Sequence, residues 1–403
     1  MTAPWLTIIG IGEDGIDGLS EAVRTRLRDA ALVVGGRRHL TLAEKLIRGE
    51  RLLWPVPLAD AYPAILARRG RPVAVLASGD PFCHGVGTSL AALVPPNEMQ
   101  CFPAPSAFAL ARARLGWAAE DAATISFCGR PLATLAPLLQ PGARVLTLSA
   151  DSGTPAELAA MLAARGFGAS VMHVMEALGG PHERIRATTP AGFEPHDIHP
   201  LNLVGLDLRA DAGACVIPLA SGLPDALFEH DGQFSRREMR AVTLSSLAPR
   251  RGELLWDIGA GSGAIGIEWM LRHTANSAIA IETDPGRATR IARNAENLGV
   301  PGLRVVAGAA PDALVDLPTP DAVFLGGGAH RPGVIDAAWN ALKPDGRLVA
   351  NAVTIETEAA LLAARARLGG TLLRLSVERM DAVGTMHAYR PAMTVTQWIA
   401  VKP

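Results

Sequence analysis

Lysine is scarce in this chain. It stands only at Lys45, Lys343 and Lys402, and arginine carries the rest of the positive charge. Lys plus Arg number 38 against 39 Asp plus Glu, a formal charge of −1, so no basic excess exists to hold a phosphate backbone. Aromatic residues are only 4% of the chain, and no basic segment interleaved with them is visible. A nucleic-acid partner is therefore not expected. The four cysteines, Cys83, Cys101, Cys128 and Cys215, lie far apart with no Cys-x-x-Cys spacing. That argues against a disulfide framework and a metal site, and for buried thiols in a reducing compartment. No run is long and apolar enough to span a bilayer, and Met1-Thr-Ala-Pro-Trp5 has no basic n-region. The expectation is a cytoplasmic chain with no membrane partner.

Glycine, by contrast, is concentrated where it carries information. Glu253-Leu-Leu-Trp-Asp257-Ile-Gly259-Ala-Gly261-Ser262-Gly263-Ala-Ile-Gly266 reads as a short apolar strand, a glycine-rich turn and the start of a helix. A second apolar strand, Ala278 to Ile281, ends on Glu282, whose carboxylate is placed to accept from both hydroxyls of a ribose. Two cofactors compete for this pattern. Gly261-x-Gly263-x-x-Gly266 matches the dinucleotide fingerprint literally. Asp257, however, stands at the last turn of the first strand, where it repels a diphosphate and suits a cationic amino-acid moiety. The whole pattern resembles the class I S-adenosylmethionine-dependent methyltransferases.

At 403 residues the chain is long enough for two or three domains. Strand-like and helix-like segments alternate from Trp5 onward: strands at 5–9, 31–34, 72–76, 98–102, 124–127, 144–148, 169–173 and 201–206, with helices at 19–28, 86–93, 106–115 and 155–164. This predicts an α/β domain over 1–208 with a largely parallel sheet. Residues 209–224, with Pro218-Leu-Ala-Ser-Gly-Leu-Pro224, read as a linker. Alternation resumes over 225–403, with strands near 253–258, 277–282, 303–307, 321–325, 346–351, 371–378 and 394–401. That set predicts a second, different α/β domain with one doubly wound, Rossmann-like sheet.

The first half holds three loops of interest. Gly10-Ile-Gly12-Glu13-Asp14-Gly15 follows a strand, but its two carboxylates oppose a pyrophosphate. Ser78-Gly79-Asp80-Pro81 ends another strand, and Pro103-Ala-Pro105-Ser106 precedes a helix. Three such loops in this order resemble the tetrapyrrole methylase family, the class III methyltransferases. The resemblance implies that Gly10, Gly12, Ser78, Gly79, Asp80, Pro105 and Ser106 border an S-adenosylmethionine site. Glu13 stands where much of that family has proline.

Two further segments extend the likeness. Leu178-Gly-Gly-Pro181-His-Glu183-Arg184 is similar to a segment of the corrin-pathway branch of that family, and His230-Asp-Gly-Gln233-Phe-Ser-Arg236-Arg237-Glu238-Met239-Arg240 is similar to the opening of the small class I methyltransferase of cobalamin synthesis. Together the halves resemble the fused corrin-pathway methyltransferase family. That implies one S-adenosylmethionine per domain and a tetrapyrrole substrate, precorrin-6Y. It also implies methylation at C5 and C15 and decarboxylation of the C12 acetate, giving precorrin-8x, with C5 suggested for the first domain and C15 plus decarboxylation for the second. A homo-oligomer is the expected assembly. Asp257, Gly259, Gly261, Ser262, Gly263 and Glu282 are the expected cofactor residues of the second half. Arg236, Arg240 and His330 are the candidates for handling substrate carboxylates, with Arg37, Arg38 and His39 as a lesser set and Asn351 and Thr354 beside the mouth. Leu325-Gly-Gly-Gly-Ala-His330 lacks the Pro-Pro-aromatic motif of nucleic-acid amino methyltransferases and leaves room for a flat substrate. An RNA or protein methylase of the same two folds, and a scaffold with one inactive domain, are the alternatives.

Overall fold

The computed structural model describes residues 4–403. Residues group into two compact units, one of 1–130 and 140–215, the other of 131–139 and 216–403. Residues 216–224, expected as linker, pack into the second unit: Leu223 is fully buried, and the amides of Gly222 and Leu223 donate to Glu268. Leu135, Ala136 and Leu139 of the short 131–139 segment are also fully buried.

The first unit has two sheets where one was expected. Strands β1 (Leu6–Ile11), β2 (Leu32–Gly35), β3 (Glu50–Leu53), β4 (Val73–Ser78) and β5 (Met99–Phe102) form an all-parallel sheet ordered β3-β2-β4-β1-β5. β1 is buried along its whole length, as a central parallel strand must be when both faces are covered. The helix Glu21–Asp29, which covers part of this sheet, is capped by Ser20, whose Oγ accepts from the Val23 amide. The second sheet contains β6 (Ala122–Ser126), β7 (Arg144–Leu148), β8 (Val171–Glu176), β9 (Arg184–Thr188) and β10 (Asn202–Asp207), ordered β6-β7-β10-β8-β9. Only its β6/β7 pair is parallel. Strand direction depends on how the chain returns, which local apolar pattern does not encode. The edge strands β3 and β9 were not anticipated. Each is largely exposed; β3 has no apolar alternation, and β9 has only a short one, Ile185 and Ala187.

The second unit matches its expected strands closely. They are β11 (Leu254–Ile258), β12 (Ser277–Glu282), β13 (Arg304–Ala307), β14 (Ala322–Leu325), β15 (Arg347–Ala352), β16 (Thr371–Leu375) and, after a hairpin, β19 (Val395–Val401). The order is β13-β12-β11-β14-β15-β19-β16, with β19 antiparallel to both neighbours. The order reverses between β11 and β14, and a crevice opens beyond the strand tips at such a switch point. Trp256 and Ile258 of β11 enter one core cluster with Val323, Leu348 and Trp398. The hairpin of β17 (Glu378–Val383) and β18 (Met386–Pro391) is exposed throughout, so no burial pattern marked it.

Candidate active sites

In the first unit, three loops meet at the carboxyl ends of parallel strands. Ile11 ends β1 opposite Ser78, and Ile9 lies opposite Phe102 of β5. The Gly79 amide donates to Ile11 O at 3.2 Å, and the Ala104 amide donates to Gly79 O at 3.0 Å. Gly10 lies where these backbones touch: a Cβ there would collide with the Gly79 carbonyl and the Ala104 amide. Gly10 therefore makes the crossing and does not line the cavity, a correction to its expected place at the cofactor. Gly79 has φ +51°, a conformation glycine adopts without steric cost.

Around that crossing is a cavity of about 350 Å³, bordered by Gly12, Ser78, Gly79, Pro105 and Ser106. Asp80 is outside the lining; its Oδ1 accepts from the Phe82 amide at 2.9 Å and shapes the turn. Ser106 caps the following helix by accepting from the Ala109 amide at 3.2 Å. Glu13, Arg38 and His39 complete one wall. Arg38 is paired with Glu13, and a side chain on Gly180 would collide with Glu13, which brings the Leu178-Gly-Gly segment to the same wall. Within that segment Glu183 accepts from the Gly179 amide at 2.7 Å and pairs with Arg114 at 2.6 Å. Burial, with Arg38 beside it, holds the His39 imidazole down to about 4.

The second unit repeats the principle with different parts. Gly259 has φ +71°, and a Cβ there would lie 2.8 Å from the Gly327 amide nitrogen. The loops after β11 and β14 thus cross with no side chain between them. Beside them opens a cavity of about 920 Å³ bordered by Gly259, Gly261, Ser262, Glu282, Arg236, Asn351 and Thr354. Gly263 begins the helix Ala264–Leu271 at φ +76°, packed against Ile291. Glu282 is 4% exposed and ties the floor together. Its Oε2 accepts from the Gly261 amide at 2.8 Å, and its Oε1 from the amides of Thr283 and Asp284 at 2.9 and 3.0 Å.

Asp257 is buried beneath the loop, not in the cavity lining. Its Oδ2 accepts from the Gly266 amide at 3.0 Å, while Oδ1 has no partner; neither has Ser262 Oγ. Burial pushes the Asp257 carboxyl up to about 7, against the Gly266 hydrogen bond and with the charge of Glu282 adding to the rise. Two orphaned buried oxygens under a side-chain-free cradle, with a carboxylate at the next strand tip, fit a ligand that carries both an ammonium group and a ribose.

Two of the expected substrate residues are elsewhere. Arg240 is fully buried. It donates to Glu268 and Asp225 at 2.8 Å each, to Ser235 O at 2.6 Å and to Leu223 O. The i, i+4 relation to Arg236 was real, but the helix Arg237–Leu247 turns Arg240 inward to clamp the 222–225 segment. His330 is exposed and outside the lining, 3.5 Å from Thr357 Oγ1. Thr354 caps the helix Ile355–Leu368. Arg331, the residue after His330, does line the cavity, as do Arg287 and Arg379. Arg236 pairs with Asp225 at 3.4 Å, Arg287 with Asp231 at 2.8 Å and Arg379 with Glu238. Among the described residues no carboxylate pairs with Arg331. Its nearness to the triple glycine was the only signal in the sequence; Arg379 lies in the unpatterned hairpin and carried none.

Residues 5–192 match the family model of Tetrapyrrole (Corrin/Porphyrin) Methylases, and residues 226–402 match that of the Precorrin methyltransferase domain. A relative from Mycobacterium tuberculosis, a precorrin-6Y C(5,15)-methyltransferase [decarboxylating], is 40% identical over 98% of this chain and 100% of its own. A shorter relative from Salmonella typhimurium, a cobalt-precorrin-6B C(15)-methyltransferase (decarboxylating), is 30% identical over 39% of this chain and 83% of its own. A precorrin-6Y C(5,15)-methyltransferase [decarboxylating] from Sinorhizobium sp is 54% identical over 99% of this chain and 96% of its own. With that identity across both units, the chain belongs to the precorrin-6Y C(5,15)-methyltransferase (decarboxylating) family.

Proposed function

We propose that the chain transfers methyl groups to C5 and C15 of precorrin-6Y and releases the C12 acetate carboxyl as carbon dioxide, giving precorrin-8x. The observation that carries this reading is the presence of two cavities, one per unit, each at parallel strand tips and each walled by a backbone crossing. S-adenosylmethionine, one per unit, supplies an electrophilic methyl group at each site. In the second unit Glu282 would hold the ribose hydroxyls, and Ser262, above the buried Asp257, would face the amino-acid end. In the first unit the backbones of Gly12 and Gly79, with Pro105 and Ser106, would form the cradle. Both acceptor carbons are enamine-like, so alignment supplies much of the rate. C15 methylation and decarboxylation are assigned to the second unit: residues 226–402 match the Precorrin methyltransferase domain, and the Salmonella relative named for both is similar over 161 residues, the size of one such domain. Arg331 is the guanidinium there without a protein carboxylate, and it would hold and orient a substrate carboxylate.

Incubating the full chain with precorrin-6Y and S-adenosylmethionine and weighing the product tests this. Two methyl groups gained and one carbon dioxide lost are expected. A single methylation with no carbon dioxide released would sink the assignment.

A further inference from the structure

Ser78 ends β4 and opens onto the smaller cavity. Its Oγ lies 2.9 Å from His39 Nε2 and 2.7 Å from Arg38 Nη2, and that Nη2 is 2.9 Å from the same His39 nitrogen. A guanidinium only donates, so the nitrogen it faces is the unprotonated one: the ring proton sits on Nδ1, which is buried without a partner, and the Nε2 lone pair is left for Ser78 while Arg38 donates to the Ser78 oxygen. The Ser78 hydroxyl then donates to His39, accepts from Arg38 and keeps a second lone pair for the cavity. Glu13 pairs with Arg38 and fixes the guanidinium beside the ring. The imidazole is neutral throughout the ordinary pH range, so its lone pair is available.

We propose that Ser78 and His39 are the proton-acceptor pair for carbon methylation in the first unit. This rests on the reading that the first unit methylates a ring carbon. Exchanging hydrogen for methyl on such a carbon must release a proton. The ring π pair forms the carbon–methyl bond, and the sulfur keeps the pair of the bond that breaks. The C–H bond at the methylated carbon then breaks, and its pair restores the ring double bond. The proton goes to Ser78 Oγ as the Ser78 proton passes to His39 Nε2, and the imidazolium returns it to water. Ser78 is the catalytic residue here. His39 acts through it, and Arg38 is a positioning residue that sets the tautomer.

The test uses the full chain with precorrin-6Y and S-adenosylmethionine whose methyl group is labelled with carbon-13, so that C5 and C15 methylation are read separately. Ser78→Ala and His39→Gln are expected to slow C5 methylation about 100-fold or more, the usual span of general-base catalysis. KM and carbon dioxide release stay unchanged. Ser78→Thr keeps the hydroxyl and regains most of the rate. A second readout needs no methyl transfer: with S-adenosylhomocysteine in heavy water, the wild type exchanges the C5 hydrogen and the two slow variants lag by a similar factor. C5 methylation at the wild-type rate in Ser78→Ala or His39→Gln overturns the proposal, as does a Ser78→Thr variant no faster than Ser78→Ala. Gly12→Leu, which fills the cavity, separates the underlying reading. If it retains C5 methylation, the first unit is not the C5 methylase; if it alone loses C5 methylation, only the proton-acceptor pair falls.

Discussion

The two units solve one spatial problem with opposite electrostatics. Each brings two loops into backbone contact at the tips of parallel strands and leaves a cavity beside the contact. In the first unit the shifted titratable group beside the crossing is a half-buried histidine, His39, held neutral by desolvation and a neighbouring arginine. In the second it is an aspartic acid, Asp257, raised toward neutrality by burial and by Glu282. The first wall is balanced internally through Glu13 and Arg38. The second has unsatisfied acid beneath its floor and an unpaired Arg331 at its rim. A side-chain-free crossing is thus the shared requirement, while the charges around it are set by what each unit must hold.

The largest effects should come from breaking that shared requirement. Gly10→Val and Gly259→Val each place a Cβ against backbone. Each is expected to abolish one methylation and spare the other, read by the mass and labelling pattern of the product. Loss of both methylations from either variant would mean that the units do not work separately. Next is Arg240, buried on Glu268 and paired with Asp225. Removing one partner of a buried ion pair costs about 3–5 kcal/mol, so Arg240→Ala should lower the denaturant midpoint sharply, whereas His330→Ala, at an exposed side chain, should leave it alone. Arg331→Gln should raise KM for the tetrapyrrole with little change in stability. An unchanged KM would remove Arg331 from the site.

Glu282→Ala tests the floor of the second cavity. Charge-assisted bonds are worth about 1.5–3 kcal/mol each, so S-adenosylmethionine binding to the second unit should weaken by at least tenfold in calorimetry. Binding to the first should be untouched.

The smallest effects sharpen the electrostatic contrast. The folded-state pKa of Asp257 is raised, so its contribution to stability is fully present below about 4 and lost as pH rises through about 7. That of His39 is depressed, so its contribution is present above about 6.5 and lost as pH falls toward about 4. Asp257→Asn should therefore melt above wild type at pH 8 and lose that advantage at pH 4. His39→Gln should show the reverse trend, with its relative gain at low pH. Parallel melting curves for wild type and both variants across this range would remove the distinction between the two sites.

The sequence by itself determined the two α/β units, nearly every strand of the second sheet, and the glycine loops that form both cavities. These are local properties: strand burial follows from runs of apolar residues, and a glycine turn follows from the absence of Cβ atoms at consecutive positions. Glu282, Ser262, Gly12, Ser78 and Ser106, expected from the sequence as cofactor residues, line the two cavities, because a residue at a parallel strand tip or helix start has one available side of the sheet to face. Only the tertiary structure decided which charges are free. Arg236, Arg240, Arg287 and Arg331 look alike as letters, yet Arg240 is buried on Glu268, Arg236 and Arg287 meet carboxylates from other segments, and Arg331 meets none among the described residues. Arg379 finds Glu238 from 141 positions away. The division of the first unit into a parallel and a largely antiparallel sheet was likewise hidden, as was the downward turn of Asp257. Strand direction and side-chain partnership are relations between distant parts of the chain, and local pattern carries no term for a partner that only folding supplies.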